Sequence, residues 1–156
     1  MASGKNHDKS IYFLTPIVGI IGGYYLSPEL GLIAASSHLL AGLYLSPDLD
    51  LKSLPWKRWG LLRFIWIPYQ RIPHRHWLSH APVVGSIGRL LYLGLWLSPV
   101  AIVLIRALPP LQMGQDFWYA VATAMLGIEL SALNHLALDG LLIPLPLGIK
   151  ARLRGD

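Results

Sequence analysis

Apolar positions in this chain gather into four long runs with short polar stretches between them, and their lengths predict helices rather than strands. The runs cover 11–27 (IYFLTPIVGIIGGYYLS), 31–46 (GLIAASSHLLAGLYLS), 82–108 and about 117–138. A membrane-crossing helix needs about 20 apolar residues, with about 17 as the short limit. The third and fourth runs pass that length with room to spare. The first two lie near the limit and would form a tight hairpin turning at Ser27-Pro28-Glu29. The expected fold is all-α: one membrane-embedded helical domain over residues 1–156 with four transmembrane helices. Lys5 and Lys9 ahead of the first run resemble a signal-peptide start. No small-x-small cleavage site follows at its end, and Ala34-x-Ser36 inside the next run is a weak match, so the run is expected to stay as a helix.

Composition supports the membrane reading. The chain is 54% hydrophobic and only 13% charged, with a mean hydropathy of +0.49. Soluble domains carry roughly a quarter charged residues. Disorder is excluded, because disordered chains are polar, and an ordinary soluble enzyme is disfavoured. Zero cysteines remove disulfides, thiolate metal sites and cysteine nucleophiles together, and leave the redox compartment open.

Charge placement then sets a topology. The 13 Lys and Arg against 8 Asp and Glu give +5. With four spans, the N-terminus, segment 47–81 and the C-terminal tail share one side, which holds eleven of the 13 basic residues. The positive-inside rule makes that side cytoplasmic, so both termini are expected in the cytoplasm. The basic excess thus reads as a topology signal with contact to anionic membrane lipids. No basic–aromatic groove accompanies it, so nucleic acid is not an expected partner. Segment 47–81 also carries Trp56, Trp59, Trp66, Tyr69 and Trp77, which suit a headgroup-level belt on a cytoplasmic interfacial segment. Residues 57–67 within it are expected to form a short interfacial helix.

Histidine and aspartate are placed less evenly than a membrane anchor needs. His7-Asp8 precedes the first run, and Asp48-x-Asp50 follows the second. His74-Arg75-His76-x-x-x-His80 precedes the third, and His135-x-x-x-Asp139 ends the fourth. Five of the six histidines lie in these clusters, all at the cytoplasmic ends of the spans. His135 and Asp139, at i and i+4, share a helix face. Pro47 is expected to end the second span and leave the Asp pair on an extended turn. Each cluster alone is unspecific; their convergence on one end of the bundle is what suggests a metal site. Imidazole and carboxylate without thiolate suit Zn, Mn or Fe. Three further ionisable residues, His38, Arg89 and Glu129, lie 8, 7 and 9 residues from the cytoplasmic ends of their spans. Their similar depth predicts an intramembrane polar cluster, with Arg89 paired to Glu129 and His38 nearby.

The same residues carry a family resemblance. M-A-S-G-K-N-H-D, S-P-D-L-D, K-R-W-G-L-L-R, I-P-H-R-H-W-L-S-H-A-P and N-H-L-A-L-D-G resemble an uncharacterised family of small metal-binding membrane proteins known largely from oxygenic photosynthetic bacteria. That family is similar in turn to a broader group of membrane-bound metal-dependent hydrolases with a PDxD turn, an HR…H segment and a late HxxxD. The resemblance implies metal ligation by Asp48, Asp50, His74, His80, His135 and Asp139, with His7 and Asp8 added by the narrower family. His76 falls where the pattern usually has no histidine.

Those eight residues offer four carboxylates and four imidazoles, a charge of −4 that two divalent ions would cancel. Two-metal sites activate water and clamp phosphoester oxygens. Arg71 and Arg75 are near enough in sequence to bind an anionic substrate group. One expectation is therefore metal-dependent hydrolysis of a lipid or phosphoester at the cytoplasmic interface. A second is a non-catalytic metal-binding accessory or assembly subunit of a larger membrane complex, such as a photosynthetic one. A pigment or haem binder would need histidine within a span, where only His38 lies. Serine hydrolysis through Ser79 or Ser46 is disfavoured by the lack of a G-x-S-x-G elbow.

Overall fold

The short loop Ser27-Pro28 decides how the N-terminal half folds. Ser27 caps α2 (Pro28–Tyr44), its hydroxyl accepting from Leu30 N, while Pro28 supplies a first helical residue that needs no donor. The preceding helix α1 (Gly4–Tyr25) therefore runs back antiparallel to α2. The two come close because their contact is glycine-lined: a Cβ on Gly31 would stand 2.6 Å from the Gly19 carbonyl oxygen. Small residues that admit such close approach are the usual means of packing helices in a membrane.

In this computed structural model, which describes residues 4–108 and 113–140, every regular element is helical. After α2 come a 3₁₀ turn (Pro47–Asp50), α3 (Leu54–Arg58), two further 3₁₀ segments (Gly60–Trp66 and Tyr69–Arg71), α4 (Trp77–His80), α5 (Val84–Ala107) and α6 (Gln115–Leu138). Helix α6 lies on α2, where a Cβ on Gly127 would meet Ala34 O at 2.6 Å. Helices α1, α2 and α6 thus form one packed group. Helix α5 stands apart from it, packing through its first turns on α4 and touching α6 sparingly. Val83, between α4 and α5, adopts a γ-turn (φ +63°, ψ −57°) closed by Val84 N to Pro82 O at 2.6 Å. A β-branched residue is strained there. Its N–H donates to Glu129 Oε1 at 2.8 Å, which ties the turn to α6.

Among the described residues, three helices are long and apolar enough to cross a membrane: Pro28–Asp50, Val84–Ala107 and Gln115–Leu138. Helix α1 differs from the other three because it begins well before its apolar run, so His7 and Asp8 sit on its first turns rather than ahead of it. Its polar start and its Gly and Tyr residues dilute its hydropathy. The expected four-span count is matched in three helices by length and composition.

The interfacial segment also departs from expectation. Instead of one helix over 57–67, α3 stops at Arg58 and Gly60, at φ +54°, redirects the chain into a 3₁₀ segment. Trp66 and Tyr69, expected in an outward aromatic belt, are buried and form a core with Leu49 and Ile65. Aromatic rings supply large apolar area, and here they seat the 3₁₀ turn that carries the Asp pair. Trp77 does remain exposed. The basic tail residues Lys150, Arg152 and Arg154 lie outside the described residues.

Candidate metal centre

Four separate elements deliver the His and Asp clusters to one end of the bundle. The first turn of α1 presents His7, on the face it shares with buried Ile11. Helix α2 stops at Tyr44, two residues before the end at Ser46 that Pro47 would impose. Ser46 then caps a 3₁₀ turn, accepting weakly from Asp48 N at 3.4 Å, so the Asp pair lies on a tight turn rather than an extended one. Residues 73–80 bring His74 as a half-buried loop residue and His80 as a buried residue of α4. Helix α6 ends with buried His135, and Asp139 is its C-cap.

Two groups of these side chains offer ligand atoms that all lie within 4.8 Å of one another: Asp48, Asp50, His74 and His80, and separately His7, Asp48 and His135. Asp48 belongs to both. Its Oδ1 stands 3.3 Å from His135 Nε2 and 3.8 Å from His80 Nε2. Asp139 closes the second group, with its carboxylate 3.3 Å from His7 Nε2 and 3.6 Å from His135 Nε2. The rings of His7 and His135 stack at 4.0 Å between centroids. Burial and the neighbouring His135 hold the His7 imidazole below its ordinary pKa, against a smaller opposing pull from Asp139.

The residues fit a divalent ion. Nε2 of His7, His80 and His135 and Oδ1 of Asp48 are buried and make no hydrogen bond. Leaving buried polar atoms unsatisfied is costly, and native structures rarely do so without reason. Imidazole nitrogens and a carboxylate oxygen are the donors that Zn, Mn or Fe accept.

Other expected site residues sit elsewhere. Asp8 forms an ion pair with Arg58 and belongs to neither group; Arg58 also donates to Leu43 O. That pair locks α1 to α3, so the Asp8 carboxylate is occupied by a guanidinium. His76 caps α4, its Nδ1 accepting from Leu78 N. Arg71 is exposed at the end of the last 3₁₀ segment, while Arg75 follows His74 in a left-handed conformation (φ +64°) with its Nε buried.

The expected Arg89–Glu129 pair is not among the ion pairs of the described residues. Arg89, fully buried, donates to Ser79 O at 2.6 Å and Ser86 Oγ at 3.2 Å, while Glu129 accepts from Val83 N. Gly85 makes room for this: a Cβ there would stand 2.7 Å from Ser79 O. The strained turn and the α4 carbonyl took the two charged groups separately. His38, also buried, lies 2.9 Å from Thr15 Oγ1 on α1 instead of joining them.

The sequence pattern raised Ser79 and Ser46 only as nucleophiles, and their place beside the ligand histidines was not legible in it. Ser79 Oγ lies 2.8 Å from His80 Nδ1 and donates to Asp50 Oδ2 at 3.0 Å; Ser46 Oγ lies 3.3 Å from His135 Nδ1. Ser10 donates to Asn134 Oδ1 and joins α1 to α6 beside the site. The available signal was adjacency: Ser46 precedes Pro47-Asp48 and Ser79 precedes His80.

Residues 2–145 match the family described as "Uncharacterized metal-binding protein (DUF2227)". The chain belongs to that family. Membership agrees with the donor set just described. A 57-residue stretch, 36% of the chain, is 40% identical to a protein of Aquifex aeolicus (strain VF5) described as "Uncharacterized protein". The match spans 40% of that relative's length. No solved structure matches.

Proposed function

We propose that this protein is an integral membrane metalloprotein with four spans and cytoplasmic termini, whose His/Asp centre holds two divalent ions and hydrolyses a lipid or phosphoester at the membrane surface. The observation that carries this reading is Asp48, whose one carboxylate belongs to both ligand groups. A shared carboxylate between two imidazole-rich groups is the arrangement of two-metal hydrolytic sites. Divalent ions, Zn, Mn or Fe by donor type, would there supply Lewis acidity and water activated at neutral pH.

The chain's own residues account for the rest. Asp48 and His74 retain some side-chain exposure (13% and 24%), and so give the centre a side open to substrate. Arg71 and Arg75 flank that side in sequence and supply guanidinium groups to an anionic substrate. Exposed leucines and valines along α5, with the apolar lengths of α2 and α6, support a scaffold set in lipid, where an ester headgroup would meet the centre.

A second reading, a closed metal site in an accessory or assembly subunit of a larger membrane complex, draws on a specific observation. His80 and His135 are almost fully buried, as ligands of structural ions are. Detergent-purified protein loaded with Zn, Mn or Fe should cleave a phosphodiester or phospholipid panel, and Asp48→Ala should not. Stoichiometric metal with no turnover on any panel member would favour the accessory reading.

A further inference from the structure

Asp50 and His80 are joined by a hydroxyl whose single proton can be placed. Ser79 Oγ, fully buried, has three neighbours within hydrogen-bond reach: Asp50 Oδ2 at 3.0 Å, His76 O at 3.1 Å and His80 Nδ1 at 2.8 Å. A carboxylate oxygen and a carbonyl oxygen can only accept. Giving the hydroxyl proton to the charged and nearer Asp50 Oδ2 and a ring hydrogen to His80 Nδ1, which Asp50 Oδ2 also faces at 3.5 Å, satisfies the most contacts; towards His80, Ser79 is then the acceptor. His80 Nδ1 carries the hydrogen, which leaves Nε2 bare. That Nε2 is the atom that is buried, makes no hydrogen bond and faces Asp48 Oδ1.

His74 follows the same logic. Its Nδ1 lies 3.0 Å from Asp50 Oδ1, an acceptor, so Nδ1 carries the hydrogen and the bare nitrogen is Nε2. The His74 Nε2 is again buried without a hydrogen bond. Both oxygens of Asp50 are thus occupied, Oδ1 by His74 and Oδ2 by Ser79, with its side chain wholly enclosed. Asp48 Oδ1 instead faces the Nε2 atoms of His135 and His80, at 3.3 and 3.8 Å. Two aspartates two residues apart therefore have different surroundings: one is held by the Nδ1 and hydroxyl donors behind the rings, the other turns an oxygen to the Nε2 side. Arg89 reinforces the Asp50 side, gripping the Ser79 carbonyl from within α5.

We infer that Asp50 is not a metal ligand but, with Ser79, a positioning pair behind the ligands, fixing His74 and His80 in the tautomer that turns Nε2 to the metal. A ligating histidine commonly donates its other ring N–H to a carboxylate or another acceptor, which orients the ring and raises its basicity. This inference rests on the metal-centre reading above and assigns work within it.

The test uses full-length protein in detergent, with Co²⁺ as the probe and its visible absorption as a report on ligand number and type. Wild-type protein should bind Co²⁺ with a ligand-field spectrum. Asp50→Asn and Ser79→Ala should each weaken binding about 10- to 100-fold, as loss of such orienting partners does, yet leave the spectrum of the saturated protein unchanged in position and intensity. A changed spectrum in saturated Asp50→Asn would make Asp50 a ligand and overturn the inference, as would unchanged affinity in both variants. Failure of the wild type to bind Co²⁺ would overturn the metal reading itself. Should a variant not fold, long-range ¹H–¹⁵N imidazole spectra of the metal-free wild type decide: Nδ1–H signals for His74 and His80 are expected, and Nε2–H signals would refute the assignment.

Discussion

The metal end of the bundle and the outer length of α5 invert each other. At the metal end, histidines and aspartates are buried while belonging to the residue types that usually face water. Along α5, leucine, valine and isoleucine stand exposed, with Leu95 at 72%. Each arrangement would be unstable in a soluble protein, since large exposed apolar surfaces invite association and unpaired buried polar groups cost free energy. On the proposed reading, an ion would stabilise the polar end and lipid the apolar one. The difference teaches that the two readings can be tested separately at exposed positions of α5 such as Leu95, beyond the first turns that pack on α4.

Removing the ion should have the largest effect. If the protein is held at a thousandfold excess of metal over Kd, linkage contributes about 4 kcal/mol of stability. Chelation should abolish that increment, measured as a fall in the urea midpoint in mild detergent, and Asp48→Ala should show no metal-dependent increment at all. On the apolar side, Leu95→Arg should cost about 3 kcal/mol of insertion, the usual penalty for a central arginine in a span. Carbonate extraction should release more of that variant, while the fraction that inserts binds metal normally. Loss of metal binding in correctly inserted Leu95→Arg would show that the two regions are coupled.

A pH dependence separates the regions more finely. His7 lies outside the apolar stretch 11–27, and its folded pKa is depressed below the ordinary 6.5. Below that value the unfolded chain takes up the proton first, so stability of the metal-free protein should fall as pH drops through 6.5 towards the folded pKa. Urea midpoints at pH 7.5 and 5.5 should differ less in His7→Gln. The smallest effect belongs to Asp8→Asn, which removes a partly exposed ion pair with Arg58 and should cost less than about 1 kcal/mol. Its metal affinity should equal that of the wild type, because the Asp8 carboxylate belongs to neither ligand group.

How much of this was legible in the sequence depended on whether a residue's role followed from local pattern. The apolar runs gave α5 and α6 to within a few residues, because run length alone decides a long helix. The helix-sharing pair His135 and Asp139, and the gathering of the His and Asp clusters at one end, followed from spacing and charge placement. What was not legible depended on long-range competition for partners. Asp8 resembles a ligand until Arg58, fifty residues away, takes its carboxylate. Arg89 and Glu129 match in depth, yet a backbone carbonyl in α4 and a strained turn before α5 claim them instead. Trp66 and Tyr69 look like belt residues, but the turn bearing Asp48 needed a core beneath it. Pairing of this kind is fixed by the packed structure and leaves no periodic trace.

The central claim, that Asp48 is shared between two metal ions, is tested most directly by elemental analysis of detergent-purified full-length protein, wild type beside Asp48→Ala and His7→Ala. The shared site predicts two equivalents of Zn, Mn or Fe per wild-type chain, one for His7→Ala and none for Asp48→Ala. Two equivalents retained by Asp48→Ala, or no stoichiometric metal in the wild type after reconstitution, would contradict it.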